Sequence, residues 1–204
     1  MVAGHDVVAA PAEVRAHIGY VPQLLSADGS LTGYENLLLS ARLYGLPRGL
    51  RRERVAHALE LMDLAAVADR LVKQYSGGMI RRLEIAQSLL HRPAVLFMDE
   101  PTVGLDPAAR LAVWDHVRRI QAEMSTTVLV TTHYMDEAEH YCDRVGLMHR
   151  GRLVETGTPQ GLRARLGPEA TLDDVFARLA HAGSEAPGSY REVGQTRESA
   201  RAHG

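Results

Sequence analysis

Two adjacent carboxylates, Asp99 and Glu100, follow the apolar run at residues 95–98. A strand that delivers acidic residues at its carboxyl end places them where open α/β sheets bind their ligands. In that position Asp99 is suited to hold Mg²⁺, directly or through water, and Glu100 is suited to polarise a water for attack on a phosphoryl group. Many strands also end in an acidic turn that has no chemical role, so the pair alone leaves both interpretations open.

A second candidate is the tripeptide Ser76-Gly77-Gly78, which begins a predicted helix. Each glycine in a first helical turn costs about 1 kcal/mol against alanine, so the pair needs a compensating role. Amides with no side chains in front of them, at the positive end of a helix dipole, form an anion site suited to phosphate. A flexible cap without a ligand is the alternative.

Two further polar residues follow predicted strands. His133 comes after the run at residues 127–131, at the sheet edge expected for the two carboxylates, and Gln23 comes after the run at residues 18–21. A lone histidine in such a place is more often a structural hydrogen-bonding residue than a catalytic one, and Gln23 is a weaker signal still.

The elements that must position these residues alternate between apolar strand runs and segments of helical period, which is typical of an α/β domain with a mainly parallel sheet. Runs at residues 95–98 and 127–131 are apolar on both faces, which predicts buried central strands with helices on both sides of the sheet. The other predicted strands lie at residues 18–21, 145–148 and 152–155, with a strand-like stretch at residues 2–8.

Helices replace strands at about residues 32–90, which predicts an inserted α-helical subdomain. Its first helix begins with Thr32 and Glu35 in capping-box spacing and closes at Gly45. The other predicted helices cover residues 51–62, the segment from Ser76 to the stop at Pro93, and residues 108–124 after an Asp106 cap.

Composition excludes several classes of protein. The chain has 23 basic and 25 acidic side chains, so no overall positive field draws it to nucleic acid. The single cysteine, Cys142, excludes an intramolecular disulfide and a multi-cysteine metal site and fits the cytosol. Since no apolar run reaches the roughly 20 residues of a membrane span and no signal peptide is evident, we expect a soluble chain or one peripheral to a membrane.

Residues 183–204 hold almost no large apolar side chain, which predicts a disordered polar tail after a folded domain at residues 1–182.

In combination, these motifs resemble the ATP-binding cassette (ABC) ATPases over essentially residues 2–180. The matching segments are Val-Pro-Gln at 21–23, Tyr-Ser-Gly-Gly-Met at 75–79, Val-Leu-Phe-Met-Asp-Glu-Pro-Thr at 95–102, Gly-Leu-Asp at 104–106 and Thr-Thr-His at 131–133. They are similar to the Q-loop, signature motif, Walker B motif with its catalytic glutamate, D-loop and H-loop. Residues after the signature motif and a late Thr-Leu-Asp-Asp-Val-Phe segment resemble the daunorubicin-resistance type of drug exporter, although Met79 replaces the usual glutamine.

The resemblance implies a P-loop NTPase-like (RecA-like) sheet core and an ATPase that uses ATP and Mg²⁺. It implies catalytic roles for Glu100 and His133 and metal binding by Asp99 and Gln23. Nucleotide contacts are implied for Gln23, Ser76, Gly77, Gly78 and Asp106, with the serine-glycine turn capping nucleotide held by a second cassette. The implied partners are a transmembrane subunit and a second nucleotide-binding domain, with no nucleic acid, at the cytoplasmic face of the cell membrane.

One expected motif is missing from the sequence. The family carries Gly-x-x-x-x-Gly-Lys-Ser/Thr before the Q-loop, where backbone amides cradle phosphates and the lysine reaches the β- and γ-phosphates. No such motif occurs here, and Lys73, the only lysine, lies just before the signature motif. We therefore expect a truncated nucleotide-binding domain whose activity alone is doubtful. A gene fragment, a pseudogene product and a degenerate partner that keeps only the dimer surface all stay open.

Two other functional classes compete with an exporter ATPase. Cassette ATPases of chromosome maintenance, DNA repair or translation are disfavoured, because the interval from Gln23 to Ser76 is only 53 residues and there is no long heptad arm, zinc-ligand cysteine set or second cassette. A non-catalytic interaction protein is the other class, and nucleotide binding by the pure chain separates it from an ATPase.

Overall fold

The computed structural model describes residues 1–167 and 169–182, with the side chains of residues 180–182 left out of the description. They form two compact units, one from Met1 to His133 and one from Tyr134 onward. In the first unit the elements are α1 (Pro11–His17), β1 (Ile18–Val21), α2 (Gly33–Leu43), α3 (Arg48–Leu61), α4 (Gly77–Leu89), β2 (Val95–Asp99), α5 (Pro107–Met124) and β3 (Thr127–Thr131). In the second they are α6 (Met135–Tyr141), β4 (Val145–His149), β5 (Arg152–Gly157), α7 (Pro159–Arg163) and α8 (Leu172–Ala182).

The sheet of the first unit is parallel, in the order β1-β2-β3. Ile18 pairs with Val95, and Val95 pairs with Thr127, so the three strands start level and end at one edge. Parallel strands need long crossovers; here the helical segment connects β1 to β2, and α5 connects β2 to β3. The predicted α/β fold with a parallel sheet is confirmed. In the second unit β4 and β5 form an antiparallel pair.

One face of this sheet packs against helices. Leu96 and Met98 of β2 are buried on it, and Gly19 of β1 lies so close to α4 that an added Cβ would be 2.6 Å from the Ser88 carbonyl oxygen. Buried Val113 and Trp114 of α5 contribute to the same unit's core. This face is therefore a close-packed layer in which the backbone of β1 approaches the backbone of α4.

The other face is not covered as the sequence predicted. Tyr20 is 56% exposed and Leu129 is 51% exposed, so the expectations that β3 is buried on both faces and that helices cover both sides of the sheet are wrong. Among the described residues β3 pairs with β2 alone, which makes it an edge strand. The apolar sequence of β3 shows that its faces are suited to burial. The hydrophobic pattern does not show whether another element covers them.

The first helix of the segment between β1 and β2 begins as predicted, since Thr32 and Glu35 form the full capping box. Hydrogen bonds from the Thr32 backbone and hydroxyl lower the pKa of Glu35. The ends differ from the prediction. Helix α2 ends at Leu43 rather than Gly45, and α3 begins at Arg48, directly after Pro47, rather than at residue 51.

The strand-like stretch at residues 2–8 does not form a strand. Val2 and His5 make one isolated bridge, and Asp6 accepts hydrogen bonds from the amides of Val8 and Ala9, which turns the chain into α1. The strand tendency of Val2, Val7 and Val8 is thus overridden by a local aspartate turn.

The second unit has its own core. Ala138, Leu147, Leu162, Leu172 and Val175 bury their side chains together. The predicted tail at residues 183–204 lies outside the described residues. Within the described part of the chain, no helix combines the length and apolar character of a membrane span.

The close approach of β1 to α4 gives a stability test. Gly19→Ala should lower the free energy of unfolding by about 1–3 kcal/mol, because the Ser88 carbonyl belongs to the backbone and a shift of α4 must accommodate the methyl group. Gly49→Ala is the matched control, since nothing lies within 4 Å of its added Cβ; it should be neutral or stabilising by up to about 1 kcal/mol. Urea unfolding of both variants measures the difference, and equal effects would contradict the packing described.

Candidate functional site

The acidic turn after β2 is fixed to the end of β3 by Thr131. Asp99 is the register partner of Thr131, whose hydroxyl donates a hydrogen bond of 2.5 Å to Asp99 Oδ1. The Glu100 amide donates to both the carbonyl and the hydroxyl oxygen of Thr131, each at 3.1 Å. One threonine therefore orients the Asp99 carboxylate and holds the backbone of Glu100.

Glu100 and His133 meet at this sheet edge. Glu100 has φ +47°, in the left-handed region that non-glycine residues rarely occupy. His133 Nδ1 donates to Glu100 Oε2 at 2.6 Å, since an ionised carboxylate can only accept. The Glu100 side chain is 21% exposed and that of His133 is 60% exposed. The strained backbone thus holds the carboxylate against an imidazole while both remain reachable from solvent.

The donor atoms at Asp99 fit a nucleotide-dependent magnesium site. Within the described residues no cluster of three or more His, Cys, Asp or Glu side chains could hold a metal by itself. Mg²⁺ is usually held by one or two protein carboxylates together with substrate phosphates and waters. A single strand-end carboxylate is therefore chemically suitable, provided that a phosphate group supplies the remaining ligands.

The serine-glycine turn and Asp106 form a second group. Ser76 caps α4 by accepting a hydrogen bond from the Met79 amide at 3.3 Å, and Asp106 caps α5 by accepting from the Ala109 amide at 3.0 Å. An added Cβ at Gly78 would lie 2.9 Å from Ala109 Cβ. The two helix starts are therefore in contact, and Gly78 has a packing role that the sequence did not reveal.

The structure does not bring all the predicted residues into one site. Asp99, Glu100 and His133 share the sheet edge, whereas Ser76 has its hydrogen bond within its own helix start. Gln23 is exposed, and among the described residues no hydrogen bond joins its side chain to Asp99. The metal role of Gln23 stays a prediction.

A buried charge pair that sequence reasoning missed holds the backbone around Gln23. Arg81 and Glu84 of α4 are almost fully buried and pair at 3.1 Å. Arg81 donates to the carbonyl oxygens of Pro22 at 2.6 Å and Gln23 at 2.7 Å. Burial lowers the pKa of Arg81 and the charge of Glu84 opposes that shift, so the carboxylate keeps the guanidinium charged at any biological pH.

Glu84 completes this clamp from the other side. Its Oε1 accepts hydrogen bonds from the amides of Ser26 and Ala27 and from the Ser26 hydroxyl. The segment that carries Gln23 is thus tied at both ends to the helix that begins with the serine-glycine turn. The signal in the sequence was a charged pair at i and i+3 whose second member, Glu84, lies between Leu83 and Ile85, both of which are buried.

The chain is similar to known proteins in both sequence and fold. The model of the family described as ABC transporter matches residues 2–103. A solved structure titled "Structure of ATP binding subunit of ABC transporter" superposes with a TM-score of 0.72 at 29% identity, covering 86% of this chain and 73% of that chain.

Curated relatives include resistance proteins. The daunorubicin/doxorubicin resistance ATP-binding protein DrrA of Streptomyces peucetius is 46% identical over 80% of this chain and 49% of its own length. The doxorubicin resistance ATP-binding protein DrrA of Mycobacterium tuberculosis (strain ATCC 25618 / H37Rv) is 40% identical over 95% of this chain and 60% of its own length. The linearmycin resistance ATP-binding protein LnrL of Bacillus subtilis (strain 168) is 38% identical over 84% of this chain and 55% of its own length. The chain spans about half the length of these relatives.

The clamp predicts a local response to Glu84→Gln. The variant leaves Arg81 buried without its counter-charge, so stability should fall by about 3–5 kcal/mol. Hydrogen–deuterium exchange at residues 22–27 should rise by at least about tenfold relative to exchange in β2, since the acceptor for the Ser26 and Ala27 amides is weakened.

Glu53→Gln is the control for this experiment, because Glu53 is exposed and has no partner among the described residues. It should leave both quantities unchanged. Exchange that rises equally across the first unit in Glu84→Gln would mean that the pair stabilises the fold globally and does not hold this segment in particular.

Proposed function

This chain belongs to the ABC transporter family, and from that premise we propose that, once joined by a phosphate-binding loop, it acts as the ATP-hydrolysing subunit of a multidrug or antibiotic exporter. The observation that carries the proposal is the contact between Glu100 and His133 at the shared end of β2 and β3. A buried structural histidine would be enclosed by the core, whereas this imidazole is mostly exposed beside a carboxylate on a strained turn.

In this proposal Glu100 is the general base that takes a proton from an attacking water, and His133 orients the carboxylate through its Nδ1 hydrogen bond. Asp99, oriented by Thr131, would hold Mg²⁺. A bound nucleotide would supply the phosphoryl group, and its Mg²⁺ ion would neutralise part of the phosphate charge. The Ser76 turn presents its amides to the nucleotide of a second cassette, with Gly77, Gly78 and Asp106 forming the surrounding surface.

The proposal includes a further segment that bears the missing phosphate loop. Two features of the first unit support it. Strand β3 has an unpaired edge within the described residues, and the sheet face that carries Tyr20 and Leu129 is open. A strand and helix added there would cover apolar surface and bring a phosphate loop beside Glu100. The alternative is an inert partner that retains the dimer surface, favoured by a Ser76 turn that is fully formed without any phosphate loop.

Partners and location follow from the same family membership. We propose a transmembrane subunit that contacts the region of Gln23 and the helical segment, a second nucleotide-binding domain, and a position on the cytoplasmic face of the membrane. Drug or antibiotic export is proposed because the relatives carry daunorubicin, doxorubicin and linearmycin resistance in their names.

The chain alone should bind ATP very weakly and hydrolyse it no faster than background. Loss of three charge-assisted hydrogen bonds of about 1.5–3 kcal/mol each lowers nucleotide affinity by about three to six decades. Glu100 and His133 then have no positioned phosphate to act on. Fusing the phosphate-loop segment of a relative before Met1 should restore Mg²⁺-dependent turnover, which Glu100→Gln abolishes and Glu60→Gln, at an exposed position on α3, preserves.

Both measurements require monodisperse protein, because an open strand edge promotes aggregation. ATP binding by the fused protein without turnover would favour the inert-partner alternative. Robust Mg²⁺-dependent turnover by residues 1–204, lost in Glu100→Gln, would contradict the requirement for an added phosphate loop.

A further inference from the structure

Two histidines lie in contact where the strands of the parallel sheet begin. The rings of His5 and His17 have their centroids 4.9 Å apart and their planes tilted by 32°. His5 ends a tight turn in which its backbone bridges to Val2, and His17 is the last residue of α1, directly before β1. Glu100 and His133 lie where the strands end, so the pair is separate from the candidate ATPase site.

A backbone contact decides which nitrogen of His17 is available. Its Nδ1 lies 2.7 Å from the Glu13 carbonyl oxygen, and since a carbonyl oxygen can only accept, Nδ1 carries a proton. In the neutral ring Nε2 then keeps its lone pair, and histidines that bind metals commonly donate their other ring N–H to a backbone carbonyl in this way. The ring of His5 forms no hydrogen bond or ion pair with any described residue, so its nitrogens are also available.

The ring separation matches coordination of one ion by both histidines. A histidine nitrogen binds Zn²⁺ at about 2.0–2.1 Å, which places the ring centroid about 3.2 Å from the ion. Two rings at an angle of about 90–110° around the ion then have centroids about 4.5–5.2 Å apart, a range that includes the observed 4.9 Å. A stacked pair of imidazoles that binds no metal is the alternative.

We propose that His5 and His17 bind one Zn²⁺ ion, or another divalent metal that prefers imidazole, with water completing the coordination. The site has two protein ligands, in agreement with the absence of any set of three suitable side chains among the described residues. Bound metal would tie the first turn of the chain to the end of α1. The inference goes beyond the proposed function, because it needs neither a nucleotide nor a second cassette and can fail or succeed independently.

The test is calorimetric titration of the full chain with Zn²⁺ in a buffer that does not bind metals. One ion should bind at this pair. His5→Gln and His17→Gln should each lower its affinity at least about tenfold, since loss of an outer-shell partner alone lowers metal affinity by about 10–100-fold. Zn²⁺ should also raise the melting temperature of the unchanged chain but not that of either variant, because the site exists only in the folded state.

The matched control changes two histidines elsewhere. His57→Gln with His140→Gln replaces one partly buried and one exposed histidine, and this double variant should bind Zn²⁺ as the unchanged chain does. In proton NMR spectra, the ring resonances of His5 and His17 should shift when Zn²⁺ is added, and those of His57 and His140 should not. Circular dichroism without metal checks that every variant is folded.

Zinc affinity that is unchanged in both single variants, or lowered equally in the control variant, would overturn the proposal. Ring resonances of His5 and His17 that do not respond to Zn²⁺ would also overturn it, because the pair would then be a stacked contact only. Binding that is lost in His133→Gln and retained in both single variants would assign the ion to the sheet edge instead.

Discussion

The register between β2 and β3 is the constraint on which the candidate site depends. Because Asp99 pairs with Thr131, strands β2 and β3 end at the same level of the sheet. The side chains of Glu100 and His133, which follow these two strand ends, are therefore close enough to form a hydrogen bond. A shift by one residue would turn the strand side chains to the opposite face. It would also separate Thr131 from the two groups it hydrogen-bonds. The contact between Glu100 and His133 that supports the proposed chemistry therefore depends on this backbone pairing.

Helix α4 extends this constraint to the other candidate residues. Its first turn carries Ser76 and Gly78, and its buried Arg81 and Glu84 hold the segment around Gln23. A movement of the helix start relative to α5 must therefore also move the backbone of Gln23, unless the clamp breaks. Breaking it would leave a buried charge unpaired, which is strongly unfavourable. The Ser76 turn and the Gln23 segment are therefore tied to the same helix, and the proposed contact of a transmembrane subunit near Gln23 would be coupled to the Ser76 turn through it.

Local signals were sufficient for much of this architecture. The Thr32 and Asp106 caps, the parallel strands and the placement of Glu100 and His133 at one sheet edge all depend on residues near one another in sequence or on general rules of parallel sheets. The features that the sequence did not predict depend on contacts between residues that are far apart in the chain. Arg81 and Glu84 bind residues nearly 60 positions away, and the burial of β3 depends on a covering layer that its own apolar pattern cannot specify. At residues 2–8 a single aspartate turn outweighed two pairs of small apolar residues.

The sheet face around Tyr20 and Leu129 lacks a cover among the described residues of the first unit, and it lies beside the edge of β3 that pairs with no described strand. A strand edge is satisfied by backbone hydrogen bonds, and an apolar face is satisfied by apolar side chains. A segment that supplied both would therefore satisfy this surface, which is the position that the proposed function gives to a strand and helix bearing the phosphate loop. Under that proposal, the apolar pattern of β3 and its unpaired edge have a single explanation.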